Sequence, residues 1–406
     1  MNDNRVFFRR RRYLMLRVAD HPVLDMRRFL SGTIAVEQIA RCSLLCPVTG
    51  EPLPVTAAEL EVLMTVPTDR WVPAAELQAA DEELRTRLLD LARRGILLSD
   101  PPADSWDHLA GAEQVLAEME WLDVAAVYHA HSRWEGVVGV DTSQKTDEEA
   151  HRMRLEELRR LRGDPPPHFV ERTDASRRIA LRTPTLSGSF FETLLARRTT
   201  RAYRSDQALP LSALEHMLYA VFGTHGIREF APGITAIKRT SPSGGALHPI
   251  EGYVLVSNVD EIPAGLYHYE TGTHALAQLE CMDAASARSV ASQFTAGQTY
   301  FAEAHALVIH VARFDRNFWK YAQHRKAYKA VMMDSAHLSQ TFYLTAAHLG
   351  LGAFYTAAIN DADIARRLRL APVREAAIAI NGVGIADTAR NELHFVPDPY
   401  QPKGVA

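Results

Sequence analysis

Apolar residues recur at helical spacing from Tyr328 to Leu349, where Val331, Met332, Ala336, Leu338, Phe342, Leu344, Thr345 and Leu349 fill most sides of a helical wheel. This predicts a helix buried on nearly all faces, with Gly350 as its C-terminal stop. Around it, alternating and β-branched runs predict strands over 250–258, 306–314, 353–359 and 376–385, and a hairpin arm over 265–269. Helical spacing returns over 190–195 and over 213–221, the latter with Ser212 as N-cap. Asn360-Asp361 reads as the cap of a further helix carrying Ile364, Leu368 and Leu370. Strands and helices alternate irregularly, which is an α+β plan.

The first hundred residues carry a different pattern. Helices are predicted over 57–66, 71–77 and 81–94, the third with Leu84, Leu88, Leu89 and Leu91 on one side, followed by a strand at 95–99. Three helices and a strand outline a winged helix-turn-helix, a domain that binds DNA or adds a peptide strand at its wing. The third helix mixes Glu82, Glu83 and Asp90 with Arg85, Arg87, Arg93 and Arg94, so peptide or structural use is favoured over DNA. The basic run Arg9 to Arg12 fits either an edge strand or a polyanion site. Residues 101–163 are mostly helical in pattern, and Asp164-Pro165-Pro166-Pro167 breaks that pattern. The expected organisation is therefore a winged-helix-like domain at 1–100, a helical connector and Pro-rich linker at 101–186, and a denser domain at 187–406.

Composition narrows the function classes. The chain has 406 residues, enough for two or three domains, and its formal net charge of -4 gives no field that would gather nucleic acid. No apolar run approaches the roughly 18 residues of a membrane span, and the charged start lacks a signal-peptide pattern, so a cytoplasmic protein without membrane contact is expected. Three cysteines argue against a disulfide framework. Cys42 and Cys46 have ligand-like spacing but no second pair, which leaves ordinary thiols favoured over a zinc site and no metal expected.

Three clusters carry candidate chemistry. Arg197-Arg198-Thr199-Thr200-Arg201-Ala202-Tyr203 sets three guanidinium forks and two hydroxyls together, suited to a phosphate and to an electron-rich ring edge, or else to a solvated helix end. Pro242-Ser243-Gly244-Gly245-Ala246-Leu247-His248-Pro249 sets two glycines after hydroxyl residues, allowing backbone N–H groups close approach to an anion. Lys320-Tyr321 pairs an ammonium with a phenol, both competent in proton transfer when desolvated, although from these two residues alone an exposed Lys beside an interfacial Tyr is the commoner arrangement.

In this order the clusters resemble the nitroreductase family of flavin mononucleotide (FMN) enzymes over 187–397, and more narrowly the SagB-type azoline dehydrogenases of ribosomal peptide maturation. The resemblance implies a mixed sheet flanked by helices, a homodimer with FMN at its interface, a precursor peptide as substrate and a cyclase as partner. It assigns Arg197, Arg198, Thr199, Arg201, Pro242, Ser243, Gly244, Gly245, Ala357, Gly384 and Arg390 to the cofactor, and Lys320 and Tyr321 to proton removal. It also aligns Tyr328-Lys329 and the helix from Asp334 to Gln340 with family segments. His248 stands where Tyr is usual, Ala322 replaces a Gly, and the spacing from Lys320 to Tyr328 is about two residues long. The implied reaction is oxidation of thiazoline or oxazoline to thiazole or oxazole. Alternatives are an NAD(P)H-fed reductase of nitro compounds, quinones or enones, a flavin-free scaffold that recruits a peptide, and, last, a DNA-binding regulator.

Overall fold

The computed structural model of the chain describes residues 6–77, 82–101, 107–139, 148–169, 174, 176–177, 179, 181–182 and 184–390. The expected helix start at Asp81 and the segment from 391 to 397 lie outside them. Two compact units form, one from the described residues of 1–133, 314–329 and 370–375, the other from those of 134–313, 330–369 and 376–390. Each is described by itself.

In the first unit, Phe7–Arg10 is the middle strand of a three-stranded sheet, between Val72–Pro73 and Leu97–Asp100. The basic run is thus neither an edge strand nor a free patch. Arg11 is 1% exposed and bonds Glu113 at 2.8 Å and the Gly95 carbonyl, because a buried guanidinium must have partners to offset its desolvation. Helix Ala57–Thr65 opens with a reciprocal capping box between Thr56 and Glu59. Its Val62 and Leu63 pack with Leu88 and Leu91 of helix Glu82–Arg93, and with Phe8, Ile96 and Leu97. The predicted order of helices and following strand is present, with the middle helix reduced to a 3₁₀ turn at Ala74–Leu77. A second sheet pairs Met15–Leu24 with Val36–Leu45 over ten residues each, then Leu53–Val55. Periodicity did not predict this hairpin, since Leu16, Val18, Val36 and Ile39 all lie exposed and neither face is buried along its length.

A buried aromatic group closes this unit. Trp121, fully buried, meets Phe314 and Phe318 edge-on at 4.8 and 4.7 Å, and His129 and Tyr328 lie against it. Helix Phe314–Tyr321 is therefore held through Phe314 and Phe318, and its far end is tied by Gln323, which donates to the carbonyls of Glu120 and Trp121.

The second unit is built on a six-stranded sheet ordered Ala275–Cys281, Gly265–Glu270, Ile250–Val256, Ala306–Arg313, Glu375–Gly384, Gly352–Thr356. Seven of the eight residues of Ala306–Arg313 are buried, as an interior strand covered on both faces requires. Helix Leu211–Phe222 covers the sheet with Leu214, Met217, Leu218 and Val221 buried, and its Phe222 meets His310 edge-on. It starts after Pro210, not Ser212: the Pro210 carbonyl accepts from the Ala213 and Leu214 amides without a side-chain cap bond, and Ser212 sits within the first turn. Gly226–Ala231 and Ile234–Lys238 form a separate exposed hairpin that the pattern did not announce.

Helix Ala327–His348 appears where predicted. Gly350, at φ +69°, donates to Ala347 while Leu351 donates to Ala346, a Schellman closure that only a left-handed residue permits cheaply. The expectation of burial on nearly all faces is corrected, because Met333, Ala336, His337 and Gln340 make an exposed stripe, Met333 at 59%. Residues of mixed polarity at i, i+3, i+4 and i+7 define a face the apolar count had hidden.

Candidate functional site

The Arg197–Tyr203 cluster follows helix Ser189–Ala196, with Arg197 at its C-cap. The Thr200 amide donates to the Ala353 carbonyl at 2.8 Å, extending the edge strand, and the segment then bridges from Tyr203 to Ala386. Thr200 and Tyr203 are buried, so their neighbours face outward: Arg197 and Arg198 are exposed and Thr199 and Arg201 half-buried. Arg197 lies 5.4 Å from the Tyr343 ring, and the Thr199 hydroxyl is 3.1 Å from the Tyr343 hydroxyl. Burial raises the Tyr203 phenol well above its ordinary range, so that ring is structural. Its hydroxyl donates to the Thr200 carbonyl.

Gly352 makes this seating possible. A Cβ there would stand 2.7 Å from both Thr200 Oγ1 and Cγ2, so Gly352→Ala must displace the 199–201 segment. Overpacking of this kind costs about 1–3 kcal/mol. The expected outcome is a lowered denaturation midpoint, and an alanine variant matching the parent would show that the segment is not held by this contact.

The glycine loop is arranged differently from its sequence reading. The Ser243 hydroxyl donates to Asp334 at 2.6 Å and the Gly244 amide donates to the same carboxylate at 3.0 Å, while the His248 amide donates to Ser243 Oγ at 2.8 Å. Asp334 is 4% exposed, so a buried carboxylate is compensated by loop donors that were expected to face a ligand. Gly245 has the left-handed backbone, φ 66°, that two glycines in a row anticipate. Pro242 precedes these residues, and Ser241 bonds Thr341 at 2.6 Å.

The closing segments are set by packing. A Cβ on Gly384 would collide with His305 Nδ1 and stand 2.9 Å from the Tyr203 ring, and one on Gly382 would enter the Phe354 ring. Ala357 is exposed just past strand Gly352–Thr356. Arg390 donates to the Tyr203 carbonyl and pairs with Asp387 at 2.7 Å and Glu303 at 3.1 Å. Arg197 and Thr199 are thus brought to Tyr343, Ser243 and Gly244 to Asp334, and Arg390 to a third place. Asp334, Thr341 and Tyr343 had been given no role. An acid inside an apolar-faced helix was the signal for Asp334, and nothing in the sequence marked Tyr343.

Lys320 and Tyr321 lie in the first unit, at the end of helix Phe314–Tyr321. Lys320 is exposed and Tyr321 half-buried, with the Lys320 ammonium 5.5 Å from the Tyr321 ring centroid. Proximity of the pair and access from outside are both met, whereas desolvation is not, Lys320 lying exposed.

Two histidines elsewhere have a stability role. Burial, with the Arg133 charge adding to it, pushes His129 down to about 3; its Nδ1 is 3.2 Å from the Tyr328 hydroxyl. Burial likewise pushes His310 down to about 3, against a bond to Asn381 that raises it, and His310 Nδ1 is 2.9 Å from Ser335 Oγ. Both folded values lie below the unfolded one, so the unfolded chain takes up protons first and stability falls as pH drops from about 6.5 toward 3. Each histidine contributes a slope of up to about 1.4 kcal/mol per pH unit. Denaturant titrations of the parent and His310→Gln at pH 7.5 and 5.5 should show the smaller loss in the variant; equal losses would contradict the assignment.

Among the described residues no group of His, Cys, Asp and Glu is placed to hold a metal, and Cys42 and Cys46 are free thiols. Among them too, no helix is long and apolar enough to cross a membrane.

Comparison with known proteins agrees with the fold. The nitroreductase family profile matches residues 194–385. A protein of Methanocaldococcus jannaschii named for the nitroreductases, MJ1384, is 30% identical over 179 residues, 44% of this chain and 83% of its own length. The trifolitoxin-processing protein TfxB of Rhizobium leguminosarum bv. trifolii is 31% identical over 167 residues, covering 40% of this chain and 43% of TfxB. The microcin B17-processing protein McbC of Escherichia coli is 25% identical over 167 residues, again 40% of this chain and 57% of McbC. The match thus spans only about half the length of these two relatives. With its central sheet, its long helix and the Arg197–Tyr203 segment seated beside Gly352, the chain belongs to the nitroreductase family.

Proposed function

We propose that the chain is an FMN-dependent dehydrogenase of peptide maturation, oxidising thiazoline or oxazoline rings to thiazole or oxazole in a ribosomally made precursor. The observation that carries this reading is similarity, over the family domain, to two proteins named for processing peptide products, TfxB and McbC. Residues present fit the phosphate end of FMN: exposed Arg197 and Arg198 beside a hydroxyl at Thr199, all fixed by the buried Thr200 and Tyr203. Arg201 is assigned to the ring edge. Pro242, Ser243, Gly244 and Gly245 act through the loop backbone that Asp334 fixes, and Ala357 and Gly384 complete the set. FMN supplies a two-electron acceptor when bound. Lys320 and Tyr321 remove the ring proton, and the protein's contribution is position and charge.

The partners follow the same reading: a precursor peptide, a cyclase that forms the ring, and a second copy of this chain, all in the cytoplasm. Residues 1–100 are assigned to a winged-helix-like domain gripping the peptide by strand addition, residues 101–186 to a connector and residues 187–406 to the flavin domain. The dimer reading is supported by the exposed stripe of Met333, Ala336, His337 and Gln340. Met333→Glu should turn a dimer into a monomer in sedimentation; a parent that sediments as a monomer at micromolar concentration sinks the dimer.

The test is mass spectrometry of an azoline-bearing peptide incubated with FMN-loaded protein and oxygen. Loss of two hydrogens per ring is expected, and an unchanged peptide would reject the substrate assignment. The similarity to MJ1384 favours a second reading, an NAD(P)H-dependent reductase. Rapid bleaching of the flavin by NADPH would select it.

A further inference from the structure

The larger unit holds a cavity of about 480 Å³ that none of Arg197, Arg198, Thr199 or Arg201 lines. Its walls include Arg204, Arg288, Arg390, Glu303, Ser257 and His305. Three guanidinium groups therefore face one carboxylate. Arg204 is braced by Asp206 at 2.9 Å, and Arg390 by Asp387 and Glu303, which fix the direction of both forks. Arg288 is in no ion pair among the described residues, and its charge reaches Asp283 only enough to help lower that carboxyl, after the bonds from Ser286.

Two buried polar atoms sharpen the case. Ser257 is 4% exposed and its hydroxyl has no hydrogen-bond partner among the described residues. His305 is 1% exposed; its Nε2 bonds the Gln207 carbonyl at 2.9 Å while Nδ1 has no such partner among them. A buried hydroxyl is costly to leave unpaired, so the wall presents the unused hydrogen-bonding capacity of Ser257 beside the Arg288 guanidinium, while Arg204 and Arg390 are already matched by acidic side chains. A planar guanidinium fork such as that of Arg288 matches a phosphate bidentately. The volume falls within the roughly 300–1,000 Å³ of small-molecule sites.

We propose that this cavity binds a phosphate-bearing small molecule, held by Arg288, Arg204 and the Ser257 hydroxyl, at a site separate from the Arg197–Arg201 cluster. Arg390, which the resemblance assigned to the cofactor, lines this second cavity.

The probe is inorganic pyrophosphate, titrated calorimetrically into the full chain saturated with FMN and, separately, into the chain without added FMN. One bound pyrophosphate per chain is expected in both. Arg288→Ala, a change on the exposed side of helix Ala284–Phe294, should weaken binding at least tenfold. Ser257→Ala should weaken it severalfold, and Arg197→Ala should leave it unchanged. Absence of heat at millimolar pyrophosphate, or affinity indifferent to both Arg288→Ala and Ser257→Ala, overturns the site. Displacement of pyrophosphate by FMN also overturns it, because the cavity would then be the phosphate end of the cofactor site. None of these outcomes depends on what the enzyme oxidises.

Discussion

Lys320→Ala is expected to retain FMN and to lose about two to four orders of magnitude of ring oxidation, the usual worth of a positioned proton-transfer group. The substitution leaves the fold intact because Lys320 is exposed, while the helix that carries it is anchored by Phe314 and Phe318 against Trp121. Tyr321→Phe is the companion variant, removing the phenol proton but keeping the ring that faces the ammonium at 5.5 Å. Single-turnover oxidation of an azoline peptide measures both. A Lys320→Ala protein oxidising at the parent rate would remove this residue from the chemistry, and a Tyr321→Phe protein unaffected while Lys320→Ala fails would assign the proton to lysine alone.

Arg197→Ala is expected to weaken FMN binding about 10- to 150-fold, the equivalent of one charge-assisted bond of roughly 1.5–3 kcal/mol. The guanidinium lies at a helix end over the Tyr343 ring, exposed, so its removal leaves no buried group unpaired and the effect reads directly on the ligand. Flavin fluorescence on titration gives the affinity. An unchanged affinity would place the phosphate elsewhere, and loss of binding in Arg390→Ala instead would point to the Arg390 cavity.

Much of the family domain was legible because its signals are local. Strand Ala306–Arg313 announces itself by a β-rich apolar run interrupted only by His310 before Arg313 ends it, and helix Ala327–His348 by spacing and by Gly350. The basic segment was found because six of its seven residues carry cations or hydroxyls. What the sequence hid is pairing at a distance. Ser243 and Gly244 look like anion donors until Asp334, ninety residues away, is seen to accept from both. The packing role of Gly384 was hidden likewise, because the Tyr203 and His305 that need its space lie far off in the chain. The Met15–Leu24 and Val36–Leu45 hairpin gave no period because neither face is buried along its length, and Arg11 looked exposed because its partner Glu113 is a hundred residues on. Burial of one helix was overestimated for a related reason, since apolar residues such as Met333 also populate its exposed face.

The proposed chemistry requires FMN, and the visible absorption spectrum of the purified protein, followed by mass analysis of the chromophore released on denaturation, tests that requirement most directly. Oxidised-flavin bands with FMN released, or restored by added FMN, are the predicted result. A colourless protein that takes up no added FMN would contradict the account.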